Sequence, residues 1–197
     1  MKVSATQQSK SGEFQQAPEG TYPATCIRIV DLGTQSGEYQ GQAYERRQIV
    51  VTWELSELME DGRPFICSKF YTASLNEKSV LHRDLVAWRN KPFTQQELNG
   101  FELKNIIGKS CLVQLVKNPK GKINVNSIMS LPKGIPAPEA VNEQYIFDIE
   151  TWDQNVYAKL SDGIKRIIAE SKEAMADVEP QVEAPVQEVV QDDDIPF

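Results

Sequence analysis

Apolar and polar side chains alternate along residues 46–55, which is the pattern of a half-buried antiparallel β-strand. The preceding residues 21–33 are rich in β-branched side chains and predict a first strand, and residues 34–42 predict a flexible loop between the two. An Asp-Gly turn in residues 59–63 then leads into a returning strand at 64–72. The pattern therefore predicts three consecutive antiparallel strands.

The period of the pattern changes after the third strand. Ser74 and Glu77 have the spacing of a capping box, and an apolar stripe that ends at Trp88 follows at helical spacing. These residues predict an amphipathic helix over residues 76–90, with Trp88 facing the core. A short helical turn and a loop are predicted to follow it.

Two more strands are predicted at residues 109–118 and 122–131, joined by an Asn-Pro-Lys-Gly turn. The order of three strands, one helix and two strands predicts a mainly β fold. It fits a five-stranded OB-type Greek-key barrel, which carries a helix between strands 3 and 4. An SH3-like barrel lacks the long helix, and a doubly wound fold would need more helices.

The C-terminal third changes character twice. Residues 131–140 contain three prolines and predict a linker, and residues 152–175 predict an amphipathic helix whose apolar stripe must be buried on the barrel or on another subunit. Pro180 and Pro185 then defeat a continuous helix in the acidic tail. The predicted organisation is a disordered N-terminal arm (1–19), an OB-fold domain (20–133), a linker with a C-terminal helix (134–175) and a disordered acidic tail (176–197).

Charge is divided unevenly along the chain. The formal net charge is −7, but residues 173–197 alone carry eight acidic and no basic side chains. Residues 20–133 carry 15 Lys and Arg against 11 Asp and Glu, a net charge of +4. There are two explanations for the tail. It serves only solubility, or the body binds a polyanion and the tail covers that binding surface when the polyanion is absent.

Catalytic and metal chemistry find little support in the sequence. The only histidine, His82, lies on the polar flank of the predicted helix, and no nucleophile, phosphate-loop or metal-ligand spacing is present. We therefore expect no catalytic residue, no cofactor and no metal. The cysteines lie about forty residues apart without a C-x-x-C pair, which predicts buried reduced thiols; they are Cys26, Cys67 and Cys111.

The sequence predicts a protein of the cytoplasm. No apolar run approaches the roughly 18 residues of a membrane span, and the polar first residues lack the apolar core of a signal peptide. We expect no membrane partner, and the sequence leaves the oligomeric state open.

The predicted barrel combines basic and aromatic side chains in the way that single-stranded DNA binding requires. A positive groove follows the phosphates, and flat side chains stack on the bases. The candidate residues on strands two and three, on the loop before strand two and at the last hairpin are Arg46, Arg47, Lys69, Phe70, Tyr71, Tyr39, Tyr44, Lys117, Lys120 and Lys122.

Core packing competes with binding for the aromatic residues. Trp53 shares its face with apolar neighbours, which favours a core position. Phe70 and Tyr71 point to opposite faces of one strand, so only one of them can face the core. Sharing a face with Lys69 favours Tyr71 outward, although Cys67 lies on that face too, and the opposite assignment stays open.

The end of the chain has a pattern of its own. Three carboxylates precede an Ile-Pro-Phe terminus, in the order Asp192, Asp193, Asp194, Ile195, Pro196 and Phe197. This segment resembles the acidic tip of bacterial single-stranded DNA-binding proteins. In that family the tip docks on replication, recombination and repair partners.

The body resembles a family of phage-encoded single-stranded DNA-binding or replication-associated proteins. The resemblance covers residues 20–134 and depends on SKFYTASLNEKSVLHRDLVAWRNKPFTQQELNGFELKNIIGK, with IVDLG before it and LPKG after it. It implies a non-enzymatic protein that binds single-stranded DNA in replication or recombination in the host cytoplasm. The tetramer of the bacterial family is not implied, because that family's barrel sequences are absent.

A second function fits the same predicted fold. An OB-fold protein-interaction module, such as a replication or recombination mediator, would have only incidental DNA affinity. Reversing the charge of Arg46, Arg47 and Lys69 distinguishes the two, because only the DNA-binding function requires these cations.

Overall fold

The structure of the protein is a computed structural model that describes residues 15–176. Most of the predicted N-terminal arm and the acidic tail after Ala176 lie outside the described residues. The strands are β1 (Gly20–Tyr39), β2 (Gln42–Leu58), β3 (Pro64–Thr72), β4 (Ser110–Lys117), β5 (Ile123–Met129) and β6 (Tyr145–Phe147). The helices are α1 (Val80–Arg89), α2 (Gln95–Asn99), α3 (Gln154–Ala158), α4 (Asp162–Ala169) and α5 (Lys172–Ala176), with a 3-10 turn at Leu103–Ile106.

The strands form one sheet in the order β3-β2-β1-β4-β5, with antiparallel neighbours throughout. The short strand β6 joins β1 in parallel, off this path. The predicted mainly β fold, with three strands, a helix and two strands in sequence, is confirmed. Strand β6 was not predicted, because three residues are too few to show a period.

The predicted loop over residues 34–42 is wrong, because β1 and β2 continue through it as a hairpin. The pairing runs without interruption from Thr34 opposite Arg47 to Tyr39 opposite Gln42. Gln40 and Gly41 both have positive φ angles, as a tight two-residue hairpin turn requires. We call residues 34–47 the hairpin arm.

One apolar core lies between one face of the sheet and α1. Trp53 and Trp88 are buried there with ring centroids 6.0 Å apart, and Trp88 donates its indole N–H to the Ser110 carbonyl at 2.9 Å. The predicted core positions of both tryptophans are confirmed. The predicted capping box is wrong, since α1 begins later and Ser79 is its cap, accepting from the His82 N–H at 3.1 Å.

A second apolar cluster covers the opposite, outer face of β1 and β2. Val30 and Val50 on the sheet pack there with Phe147, Leu160 and Ile168 from residues 145–176, which we call the C-terminal segment. Strand β2 is therefore buried on both faces in the part around Val50. The prediction that this strand is buried on only one face is wrong for this part. Leu160 and Ile168 belong to the predicted amphipathic region 152–175, which buries its stripe on the chain's own sheet, whereas Phe147 lies before that region.

The single helix predicted over 152–175 is divided into α3, α4 and α5. Ser161 interrupts it and caps α4 through the Ile164 N–H at 3.5 Å, so Asp162-Gly163 begins a helix instead of lying in the middle of one. The last helix holds the base of the hairpin arm. Glu173 accepts from the backbone N–H and from the hydroxyl of Thr34, both at 2.7 Å.

Buried polar contacts also fix the linker on the outer face. The Glu54 carboxylate is buried and accepts from the Val141 and Asn142 N–H groups at 2.7 and 2.8 Å. The Thr25 hydroxyl donates to the Pro138 carbonyl at 2.6 Å. The linker is thereby held against β1 and β2.

The thiols match the prediction of reduced cysteines. All three are free, with Cys26 and Cys111 buried and Cys67 half-buried. Burial raises the pKa of the Cys26 and Cys67 thiols to about 12, which keeps them protonated near neutral pH. Within residues 15–176, the helices are too short or too polar to cross a membrane.

Candidate nucleic-acid interface

A groove of about 380 Å³ lies on the outer face of the sheet, beside the C-terminal segment. Its lining on the sheet includes Arg28, Val30, Val50, Thr52 and Ser68, and the Thr52 and Ser68 hydroxyls lie 2.9 Å apart. Strand β3 provides one wall through Ile66 and Phe70. The other wall is formed by Tyr145, Lys159, Leu160, Ser161 and Ile164. We call this feature the outer groove.

Phe70 is the exposed aromatic of the outer groove. Its side chain is paired across the strands with Val50, and 51% of the residue is exposed. A large apolar ring that is half exposed on a sheet face is available for stacking. The ring is therefore accessible to a ligand on the outer face of the sheet.

The predicted outward orientation of Tyr71 is wrong. Tyr71 is only 4% exposed and its hydroxyl donates to Asp84 Oδ2 on α1 at 3.0 Å. Burial, with the nearby Asp84 charge, raises the pKa of Tyr71 far above its ordinary value. A tyrosine can be buried here because α1 supplies an acceptor for its hydroxyl, and sequence alternation could not reveal that acceptor.

Lys69 is a structural cation in this fold. Its Nζ lies 2.7 Å from Asp84 Oδ2 and donates to the Asn126 carbonyl on β5 at 3.1 Å. The side chain is largely buried, and its charge is compensated by Asp84. Lys69 is therefore not free to bind a phosphate as predicted. Its side chain instead bridges β3 to β5.

Arg47 is also occupied by carboxylates. Its Nε donates to Asp31 Oδ2 at 3.2 Å, and the guanidinium also pairs with Glu150. The hydrogen bond to Asp31 raises the pKa of Arg47 further above its already high value. Arg47 fastens the base of the hairpin arm to the C-terminal segment and offers little uncompensated charge.

The hairpin arm carries three further candidates, of which Arg46 and Tyr39 are exposed and Tyr44 is half-buried. Arg46 is exposed, and its Cζ lies 4.6 Å from the centroid of the Tyr44 ring. Tyr44 lies over Gly37, where an added Cβ would come within 2.5 Å of the Tyr44 hydroxyl. Tyr39 at the tip of the arm is exposed as well. Strand alternation puts Tyr44 and Arg46 on the same face of β2 as Val50.

Lysines cluster at the hairpin between β4 and β5. Lys117, Lys120 and Lys122 are exposed. Asn118 shapes the turn by accepting from the Lys120 and Lys122 N–H groups, both at 2.9 Å. Gly20 pairs with Leu115 and Thr25 with Ser110, so the lysine hairpin lies beside the beginning of β1. The hairpin arm lies at the other end of β1.

The predicted site residues that are not engaged inside the protein thus fall into three groups. One group lies on the hairpin arm, one is exposed at the lysine hairpin, and Phe70 lies in the outer groove on the sheet. Arg47, Lys69 and Tyr71 are engaged inside the protein. Among residues 15–176, no cluster of His, Cys, Asp and Glu has the arrangement of a metal site.

The chain was compared with known proteins. No protein-family model matches it. A comparison with curated proteins also finds no match.

Proposed function

We propose that this protein binds single-stranded DNA with little sequence preference, in phage DNA replication or recombination. The observation that carries the proposal is the half-exposed Phe70 ring in the outer groove, on the same sheet face as Arg46 and Tyr44. Bases stack on the aromatic side chains, and the exposed cations neutralise phosphates. Sequence independence follows because every base has a flat face and every nucleotide a phosphate.

We also propose that the fold is of the OB type. The strand order β3-β2-β1-β4-β5 and the position of α1 between β3 and β4 support this assignment. The contact from Lys69 on β3 to the Asn126 carbonyl on β5 brings together the two strands that such a barrel joins. This fold would present the outer face of β2 and β3 to the nucleic acid.

Reversing the charge of Arg46 is expected to weaken binding to oligo-dT at least tenfold at low salt. Arg46 is exposed and uncompensated by any carboxylate among residues 15–176, so it is available to a phosphate. Fluorescence anisotropy of Arg46→Glu across a salt series measures the effect. The slope of log affinity against log salt should become shallower by about 0.7 for each phosphate that the variant no longer neutralises.

Lys133→Glu provides the matched control, since Lys133 is exposed but lies beyond β5. It should change binding much less than Arg46→Glu does. Equal decreases in affinity in the two variants would indicate only a general charge effect, and binding that ignores salt would contradict the proposed mechanism.

The tip Asp192–Phe197 lies outside the described residues, and its role is proposed from its resemblance and charge. A partner pocket with basic residues at its rim and an apolar floor would take the Phe197 ring and pair with the carboxylates. Deleting residues 192–197 should abolish capture of replication or recombination proteins. The same deletion should leave oligo-dT binding equal or tighter, because it removes negative charge that competes with phosphate.

Pull-down and anisotropy on the same truncated protein measure the two effects separately. A variant with Phe197→Ala alone retains the acidic side chains, and it should lose partner capture while DNA binding stays unchanged. Weaker DNA binding after truncation would overturn the competition between tail and DNA. Undiminished partner capture would overturn recruitment by the tip.

One observation favours the alternative of a protein-interaction module. Residues 15–176 carry 19 Lys and Arg against 20 Asp and Glu, a net charge of −1, and Arg47 and Lys69 are compensated by carboxylates. Such a module would bind a protein partner through the same sheet face, with incidental DNA affinity. Under this alternative, Arg46→Glu would alter partner binding and leave the weak DNA binding unchanged.

A further inference from the structure

A second concave surface lies at the end of α1, away from the outer groove. It is a cleft of about 460 Å³ between the end of α1, α2, the 3-10 turn and the beginning of β4. We call it the basic cleft. The residues that line it are Trp88, Arg89, Lys91, Glu97, Phe101, Asn105, Ile106, Lys109 and Ser110.

Arg89 is held rigidly at the basic cleft. Its Cζ lies 4.4 Å from the centroid of the Phe93 ring and 4.9 Å from that of Phe101. Its Nη2 pairs with Glu97. The other terminal nitrogen, Nη1, is buried and has no hydrogen-bond partner within residues 15–176. A buried guanidinium nitrogen without a partner is a donor that an anion or a water can satisfy.

Two lysines add uncompensated charge to the same cleft. Lys91 Nζ lies 3.7 Å from Glu97 Oε1, so it shares that single carboxylate with Arg89. Lys109 is exposed and has no ion pair in the described part of the chain. Three cations therefore face one carboxylate, and the lining has a net charge of +2.

The chemistry of this lining favours a phosphate group. A phosphate offers several acceptor oxygens in different directions, which suits one planar guanidinium and two ammonium groups from separate elements. Asn105 adds a neutral hydrogen-bonding side chain, and Phe101 gives the cleft an apolar wall. A volume of about 460 Å³ falls in the range of small-molecule sites and exceeds what one phosphate fills.

We propose that the basic cleft binds a phosphate group, with Lys91 and Lys109 as its direct ligands and Arg89 as the fixed positive floor. The group belongs either to a free phosphate compound or to the terminal phosphate of a nucleic-acid strand. Only the second source depends on the proposed DNA-binding function. The cleft is separate from the outer groove, so each site can be altered without the other.

The test uses the full chain and inorganic phosphate as the probe. Broadening of the ³¹P resonance of phosphate is measured for the wild type and for the double variant Lys91→Gln with Lys109→Gln. Both side chains are exposed, so the substitutions should not disturb folding, and circular dichroism checks this. Lys78→Gln with Lys133→Gln is the matched control, because it removes two exposed positive charges away from the cleft.

We expect at least tenfold weaker phosphate binding in the cleft variant and binding close to wild type in the control. No binding to the wild type, or equally weakened binding in the two double variants, would overturn the proposal.

Oligo-dT with and without a 5′-phosphate then identifies the source of the phosphate group. A preference for the phosphorylated strand that the cleft variant loses indicates a strand terminus, whereas no preference indicates a free phosphate compound. If the wild type binds phosphate but does not bind oligo-dT, the proposed DNA-binding function is contradicted, and the proposal for the basic cleft is still supported.

Discussion

Replacing Asp84 with alanine is expected to lower the free energy of unfolding by about 3–5 kcal/mol. The Asp84 carboxylate is buried and serves both the Lys69 ammonium, at 2.7 Å, and the Tyr71 hydroxyl, at 3.0 Å. Asp84→Ala would leave a largely buried positive charge and a buried hydroxyl without their acceptor. Urea denaturation followed by circular dichroism measures the change in stability.

Two further variants separate this network from charge in general. Asp61→Ala removes an exposed carboxylate that pairs with the exposed Arg63, and it should change the free energy of unfolding much less than Asp84→Ala does. Lys69→Met combined with Asp84→Leu replaces the buried pair with apolar side chains and should recover the part of the loss that comes from the unpaired charge, while the buried Tyr71 hydroxyl still lacks its acceptor. A decrease below about 1 kcal/mol for Asp84→Ala would show that Lys69 reaches water in the native state.

Replacing Phe70 with alanine is expected to weaken oligo-dT binding by about 1–3 kcal/mol, or roughly 5- to 150-fold. The ring is half exposed in the outer groove, so its removal takes away a stacking surface and little core packing. Unfolding should change much less than for Asp84→Ala. Anisotropy titration and urea denaturation of the same variant measure both quantities.

Leu58→Ala serves as the control for Phe70, because Leu58 is a similarly exposed apolar residue at the far end of β2. It should leave DNA binding unchanged. Phe70→Trp keeps a flat stacking surface and should retain most of the affinity. Equal binding by wild type and Phe70→Ala would exclude the outer groove as the stacking site.

Alternation and turn chemistry were sufficient to predict the strands that neighbour each other along the chain. β3 occupies the predicted residues, and both short hairpins have the expected glycine at positive φ, at Gly62 and Gly121. The buried stripe of α1 was also predictable, because its apolar spacing needs no knowledge of the partner. These signals depend only on neighbouring residues in the sequence, and the structure confirms the elements that they predict.

The predictions failed where distant residues decide the structure. The hairpin arm looks like a loop in sequence because its residues are polar, but it is continuously paired, and Glu173 holds Thr34 at its base. The outer face of β2 looked exposed because its cover arrives about a hundred residues later, with Phe147 and Leu160. Long-range contacts of this kind leave no period in the strand that they cover.

The candidate site was predictable in composition but only partly in geometry. Lys69 and Arg47 are basic residues, as a phosphate-binding site requires, but each is paired with a carboxylate on another element. Lys69 pairs with Asp84 and Arg47 with Asp31. Phe70 was among the predicted residues, and only its orientation relative to Tyr71 was favoured wrongly. The choice between these two neighbours depended on an acceptor from α1, which no pattern within β3 could indicate.

The central claim is tested most directly by a competition titration with the full chain. Labelled oligo-dT is bound at low salt, and unlabelled single-stranded DNA, single-stranded RNA and duplex DNA are added as competitors, with the Phe70→Ala variant in parallel. The account predicts that single-stranded DNA displaces the label far better than duplex DNA, and that Phe70→Ala reduces the affinity for the single strand. Preferential displacement by duplex, or affinity that is independent of both salt and Phe70, would contradict it.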